Sequence, residues 1–255
     1  MEEASPPHRL LIAAALRSEI MGLRRLSWRP LPRSQVDRWP VERWRLSRGE
    51  VAAIAAGVGE EACRDALIVC HAHLRPQAIL TVGWAGATVP DLHAGDICVA
   101  ESLRTSQGDA IRPHPATLAL ARDVAGRAAG KPWRFGVGLT SPVPLSNERS
   151  KSAAASQRGV QWVDMESAVA ARLADRLAIP WLSVRAISDT LRDDLELCPR
   201  AMCNEPSAPA LILRTLLSHP LRLHTALRFR RQMRLASDHL CQALATLAPR
   251  ILESL

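Results

Sequence analysis

A chain of 255 residues, 47% apolar and 23% charged, has enough core-forming side chains for one large domain or two small ones, which excludes a disordered or fibrous class. The net charge is +8, and only Lys131 and Lys151 among the 33 basic residues are lysines; the excess admits an anionic partner, but without interleaved stacking aromatics it argues against nucleic acid. Six cysteines (63, 70, 98, 198, 203, 241) form no CxxC pair, and "CHAH" (70–73) has no second ligand cluster, so reduced thiols, a cytoplasmic protein and neither metal nor cofactor are expected.

Short apolar runs recur along the chain: "LLIAAAL" (10–16), "VAAIAAGVG" (51–59), "AILTVGWAG" (78–86), "DICVAES" (96–102), "FGVGLTS" (135–141), "VQWVDME" (160–166) and "WLSVRAISD" (181–189). The first is too short to span a bilayer, and its acidic and "RSE" flanks fit no signal peptide. Runs of this length that do not alternate with polar residues suit strands covered on both faces.

Helical spacing appears between them, in "EEACRDALIVCHAHL" (60–74) and in "SAVAARLADRLA" (167–178), where Val169, Leu173 and Leu177 form a stripe that Pro180 ends. The alternation predicts a single three-layer α/β/α domain with a mixed, largely parallel twisted sheet, followed by C-terminal helices over 206–255. Residues from about 190 read as a polar loop. A helix over 221–248 follows, with Phe229, Met233, Ala236, Leu240, Ala243, Leu244 and Leu247 on one face and Arg230, Arg231 and Arg234 on another. Two readings stand open for it: docking on the sheet or a second subunit, or peripheral contact with an anionic membrane surface.

Acids follow three of the apolar runs. Glu19 comes shortly after the first, Asp164 and Glu166 close "VQWV", and Asp189 closes "WLSVRAIS". Ligands of open α/β sheets bind beyond the carboxyl ends of strands, so three strands offer acids to one edge. "GVG" (Gly57 to Gly59) leads into a helix, which suits an anion or hydroxyl, and "GWAG" (Gly83, Trp84, Ala85, Gly86) permits close backbone approach. Paired acids without a metal or Ser–His pair fit glycosidic cleavage, whose transition state is cationic at the sugar.

The ordered set "ALRSEI", "GVG", "GWAGA", "GDICVAESLR", "VDMES" and "VRAISD" resembles the superfamily of purine nucleoside phosphorylases and methylthioadenosine/S-adenosylhomocysteine nucleosidases over roughly residues 10–190. Within it, "VDMES…IPWLSVRAISD" and the Arg-rich tail resemble the hopanoid-associated branch, which implies release of adenine from the lipid intermediate adenosylhopane, with methylthioadenosine or S-adenosylhomocysteine as the alternative substrate.

The resemblance implies Asp189 as general acid at adenine N7, Glu19 as the group that positions or deprotonates water, and Glu166 on the ribose hydroxyls with Met165 beside the sugar. Gly83, Trp84, Ala85 and Gly86 would border the nucleophile and ribose. Val143, Pro144 and Leu145 of "SPVPLSN" would wall the base, Ser188 would also bind substrate, and Arg185, Gly57 and Gly59 would support the site. Asp189 would hold its proton through burial and neighbouring acids, and Asp164 would serve structure, as a cap or an arginine partner. Trp84 stands where relatives carry a small residue, so its indole either excludes phosphate or turns away; phosphate stays open as a co-substrate. By analogy a homodimer is expected, in the cytoplasm, with the inner face of the membrane left open as its location.

Overall fold

All seven apolar runs hold strands, most of their residues are buried, and the run 181–189 is buried along its whole length, because helices cover both sides of the sheet. A computed structural model describes residues 8–128, 132–195 and 223–255. Its strands are β1 (His8–Ala14), β2 (Arg29–Val36), β3 (Trp39–Leu46), β4 (Gly49–Ala55), β5 (Ala78–Ala87), β6 (Ile97–Thr105), β7 (Ala110–Ile111), β8 (Arg134–Thr140), β9 (Trp162–Asp164) and β10 (Trp181–Asp189). The helices are α1 (Arg17–Ile20), α2 (Glu60–Leu74), α3 (Pro115–Arg127), α4 (Glu148–Arg158), α5 (Ser167–Arg176) and α6 (Leu223–Ser254).

The sheet runs β10-β6-β8-β9-β5-β1-β4-β3-β2, and a further β10–β5 pairing closes five of these strands into a ring. β4, β1, β5 and β10 are successively parallel, so the carboxyl ends of β1, β5 and β10 reach the same edge. The mixed sheet is less parallel than its composition suggests. β2, β3 and β4 form an antiparallel meander, and β10–β6 and β5–β9 are also antiparallel. Pro30 and Pro32 lie on edge strand β2, where a missing N–H leaves the inner ladder intact.

One face of the sheet is covered by α2 and α5, and the other by α1, α3 and α6. The residues expected on the apolar face of α6, Phe229 to Leu247, are buried, while Arg231 and Arg234 are exposed. Docking on the sheet is therefore what this helix does, because β10, β5 and β1 face it. The residues from Phe229 to Leu247 on that face are covered by the sheet, and outward the helix presents Arg231 and Arg234 together with the exposed Leu227 and Leu235. No helix among the described residues is long and apolar enough to cross a membrane. The expected loop and helix between 196 and 222, with Cys198 and Cys203, lie outside the described residues; Cys63, Cys70, Cys98 and Cys241 are free and buried.

Helix α5 departs from its expected stripe. Val169 and Leu173 are half-buried, and the face turned inward is Ser167, Ala168, Ala170, Ala171 and Ala174. Small side chains let the helix backbone approach the sheet, close enough for Ser167 Oγ to lie 2.7 Å from Ser183 Oγ of β10. Overpacking that face should hurt more than trimming the larger residues. Ala171→Leu is expected to lower stability by about 1–3 kcal/mol, and Leu173→Ala by less, in urea unfolding; the opposite ranking would restore the apolar stripe as the buried face.

Candidate active site

The chain places two charged poles at the carboxyl edge of the sheet, and strand β5 borders both. At the first, Glu19 follows β1 on the short α1 and is 4% exposed. Its Oε2 accepts the Leu16 N–H at 2.8 Å and its Oε1 the Trp84 N–H at 2.7 Å. Only glycine fits next to that carboxylate: a Cβ on Gly83 would stand 2.5 Å from Glu19 Oε1.

Glu166 lies between β9 and α5, and its Oε1 accepts the Gly59 N–H at 2.9 Å. Gly59, with φ +92°, caps the amino end of α2. The helix terminus expected to hold an anion thus holds one belonging to the protein. Gly57, with φ +103°, donates its N–H to the Ala15 carbonyl and ties this loop to the end of β1. Asp164 is structural in geometry: its Oδ1 accepts from Glu166 N, Ser167 N and Thr140 Oγ1 at 2.9–3.0 Å.

Behind these acids lies Arg185, 1% exposed on β10. Its Nε and Nη2 donate to Ser167 Oγ and its Nη2 to Thr81 Oγ1. Nε lies 3.3 Å from Asp164 Oδ2, an ion pair without hydrogen-bond geometry, since Oδ2 has no hydrogen-bond partner. Burial opposes the guanidinium charge, but Asp164, Glu166 and Glu19 together outweigh it and hold Arg185 protonated. Desolvation in turn raises Glu19, against the pull of Arg185 and the Leu16 and Trp84 amides. Desolvation raises Glu166 to about 7, with Arg185 opposing and Asp164 adding to the rise.

The second pole is Asp189, where the register of β10 on β5 shifts. Its Oδ1 accepts from Ser188 Oγ at 2.8 Å, and a Cβ on Gly86 would stand 2.8 Å from its Oδ2. Neighbouring acids were expected around this carboxyl. Its contact is instead a cation: Lys151 Nζ of α4 donates to Oδ2 at 2.6 Å, and Lys151 is fully buried. Lys151 Nζ also donates to the carbonyls of Thr190 (2.8 Å) and Asp193 (3.2 Å). The Asp193 carboxylate accepts from Thr190 N and Oγ1, from Gln232 Nε2 and from Arg228 of α6. Burial would raise Asp193, but the Thr190 and Gln232 bonds and the Arg228 charge hold it below the ordinary carboxylate range.

The remaining expected residues divide. Trp84 gives its amide to the first pole, while its indole turns to α6, where Nε1 donates to Ser237 Oγ at 3.1 Å and the ring packs on Phe229 and Met233. Of the two outcomes for that side chain, turning away is the one observed. Met165 is half-buried between Asp164 and Glu166, and Ala85 is buried on β5. Val143 and Pro144 are exposed, and Leu145 packs on Leu139, Ala154, Val160 and Val163 beneath α4. This loop meets the first pole through Ser141, whose N–H donates to the Asp164 carbonyl at 2.8 Å. Lys151, Asp193, Ser167 and Thr81 were not anticipated. The signal available for Lys151 was its rarity in an arginine-rich chain.

The sequence model of the phosphorylase superfamily matches residues 31–202. Among solved structures, the chain is similar to the 5'-methylthioadenosine/S-adenosylhomocysteine nucleosidase of Helicobacter pylori, with TM-score 0.76 and 15% identity over 96% of this chain and 99% of that one. The S-adenosylhomocysteine nucleosidase of Streptococcus pyogenes gives TM-score 0.75 and 19% identity over 97% and 98%. Futalosine hydrolase of Helicobacter pylori gives 0.73 and 16% over 94% and 97%. At these identities the likeness is one of fold.

The raised Glu166 makes a signed prediction. Its folded pKa of about 7 exceeds the ordinary 4.5, so between those values the folded state binds more protons than the unfolded one. Its destabilising effect is absent below the unfolded value, grows as pH rises, and is complete above about 7. Glu166→Gln removes the charge and can still accept from Gly59, so its thermal stability should exceed wild type at pH 8 by up to roughly 3 kcal/mol. The gap should shrink toward pH 5; a gap that widens on acidification would reverse the assignment.

Proposed function

The chain belongs to the phosphorylase superfamily, and on that premise we propose that it cleaves the N-glycosidic bond of a purine nucleoside with water as the nucleophile. The observation that carries this reading is the delivery of Glu19, Glu166 and Asp189 to one sheet edge by separate segments, around a glycine-bearing strand.

In the proposed mechanism the Asp189 carboxyl gives its proton to purine N7, which lets the base depart; a placed acid contributes about 10²–10⁴ in rate. Glu166 accepts the ribose hydroxyls and offsets the cationic sugar, with Met165 beside it. Glu19 takes a proton from the water that attacks C1′. Arg185 keeps two carboxylates in place without donating to either. Water is favoured over phosphate because the buried guanidinium already faces three acids and the Gly59 N–H already serves Glu166. An entering phosphate would add negative charge to an acidic site.

The substrate we propose is adenosylhopane, on the strength of the motif resemblance. Two further features support an apolar 5′ group near a surface. Val58 and Val143, next to Gly59 and near Ser141, are exposed, as is Leu227 at the start of α6; Arg231 and Arg234 face outward from that helix. The named activities of the structural neighbours support a second reading, methylthioadenosine or S-adenosylhomocysteine, which differs only at the 5′ position.

Purified protein is expected to release adenine from adenosylhopane without phosphate, with turnover lost by about 10²–10⁴ in Asp189→Asn and severely reduced in Glu166→Gln. Release from methylthioadenosine alone would select the second substrate. Strict phosphate dependence would overturn hydrolysis, and no base from any purine nucleoside would overturn the whole reading. Because Glu166 must be ionised to do this work, kcat/KM of the active protein should fall as pH drops through about 7.

A further inference from the structure

Lys151 is one of two lysines among 33 basic residues, and none of its side chain is exposed. Arginine is the habitual cation of this chain, so the position asks for something arginine does not supply. Three acceptors converge there on a single point: Asp189 Oδ2, Thr190 O and Asp193 O. An ammonium carries three donors on one atom, whereas a guanidinium spreads five over a planar fork.

Burying an ion carries a penalty of several kcal/mol, which makes Lys151 a poor device for simple packing of a short polar helix. Each partner of the ammonium is itself fixed. Asp189 is held from its other oxygen by Ser188, and its Oδ2 occupies the space a Cβ on Gly86 would fill. Asp193 is anchored to α6 through Arg228 and Gln232.

We propose that Lys151 is a positioning residue that acts through Asp189, resting on the reading of Asp189 as the acid at purine N7. It orients the carboxyl and neutralises the charge formed as the proton leaves. In that step the proton passes from Asp189 to N7 and the C1′–N9 electron pair moves onto the purine. A water lone pair bonds to C1′, and the water's proton goes to Glu19. The new carboxylate then lies against an ammonium that has neither gained nor lost a proton.

The test compares two ligands on wild type, Lys151→Met and Lys151→Gln. One is a 9-deazaadenine nucleoside analogue, which presents N–H at position 7 to the carboxylate; the other is 7-deazaadenosine, which presents C–H there. Both variants should bind the N–H ligand roughly 10–100-fold more weakly and the C–H ligand almost as wild type does. With a cleavable nucleoside the loss should fall on kcat, with KM little changed. Retained binding of the C–H ligand also reports an intact fold. Should the Met variant not fold, Lys151→Gln, which can still donate to the two carbonyls, carries the comparison. Equal loss of both ligands, or no loss of either, would overturn the proposal. Wild type that binds neither ligand and cleaves nothing would instead overturn the glycosidase reading beneath it.

Discussion

A buried guanidinium organises this molecule. Arg185 lies inside the sheet, where an unpaired charge would cost several kcal/mol or more, so its neighbours have to be anions and oriented oxygens. Ser167 and Thr81 take the hydrogen bonds, and Asp164 supplies a close countercharge. Glu19 and Glu166 act on it through space while their own oxygens are used by backbone amides. The acids are kept close by the cation, and the cation is kept charged by the acids. Removing the cation would leave three buried acids facing one another without compensation, whereas removing one acid leaves the guanidinium still paired.

The small face of α5 follows from the same demand. Ser167 opens that helix and must reach β10, which larger side chains on the inner face would prevent. Glycine at 83 serves the same cluster from the other side, since any side chain there would strike Glu19. Sequence features that look like packing choices are, at these positions, conditions for holding charge in the interior.

Much of this was legible beforehand because it is written in local pattern. Runs such as 78–86 and 181–189 are apolar without alternation, and they are strands covered on both faces. The acids at 19, 166 and 189 stood out because each interrupts or follows such a run. Other features depend on partners far along the chain. The hairpin of β2 and β3 was obscured by Pro30, Pro32 and Pro40, although Trp39, Val41 and Trp44 turn inward. Lys151 belongs to a helix of low apolar content, and only the fold brings it 38 residues along the chain to Asp189. Trp84 was placed in the right segment, but its indole obeys α6, more than 150 positions away. On α5, periodicity identified the helix and hid its buried side, because alanine gives a weak hydrophobic signal.

Strand β5 belongs at once to the closed ring and to the open half of the sheet. Gly83 touches the pole of Glu19 and Gly86 the pole of Asp189, three residues further on, which is about 10 Å of extended backbone. The span between the two acids is therefore measured by main chain, on a strand held along one edge by β10 and, on the other, by β1 up to Thr81 and β9 from Gly86. Loops around the site are free to diverge in length and character without stretching that gauge. A scaffold built in this way can exchange one nucleoside for another at its rim while the reacting span is handed down unchanged.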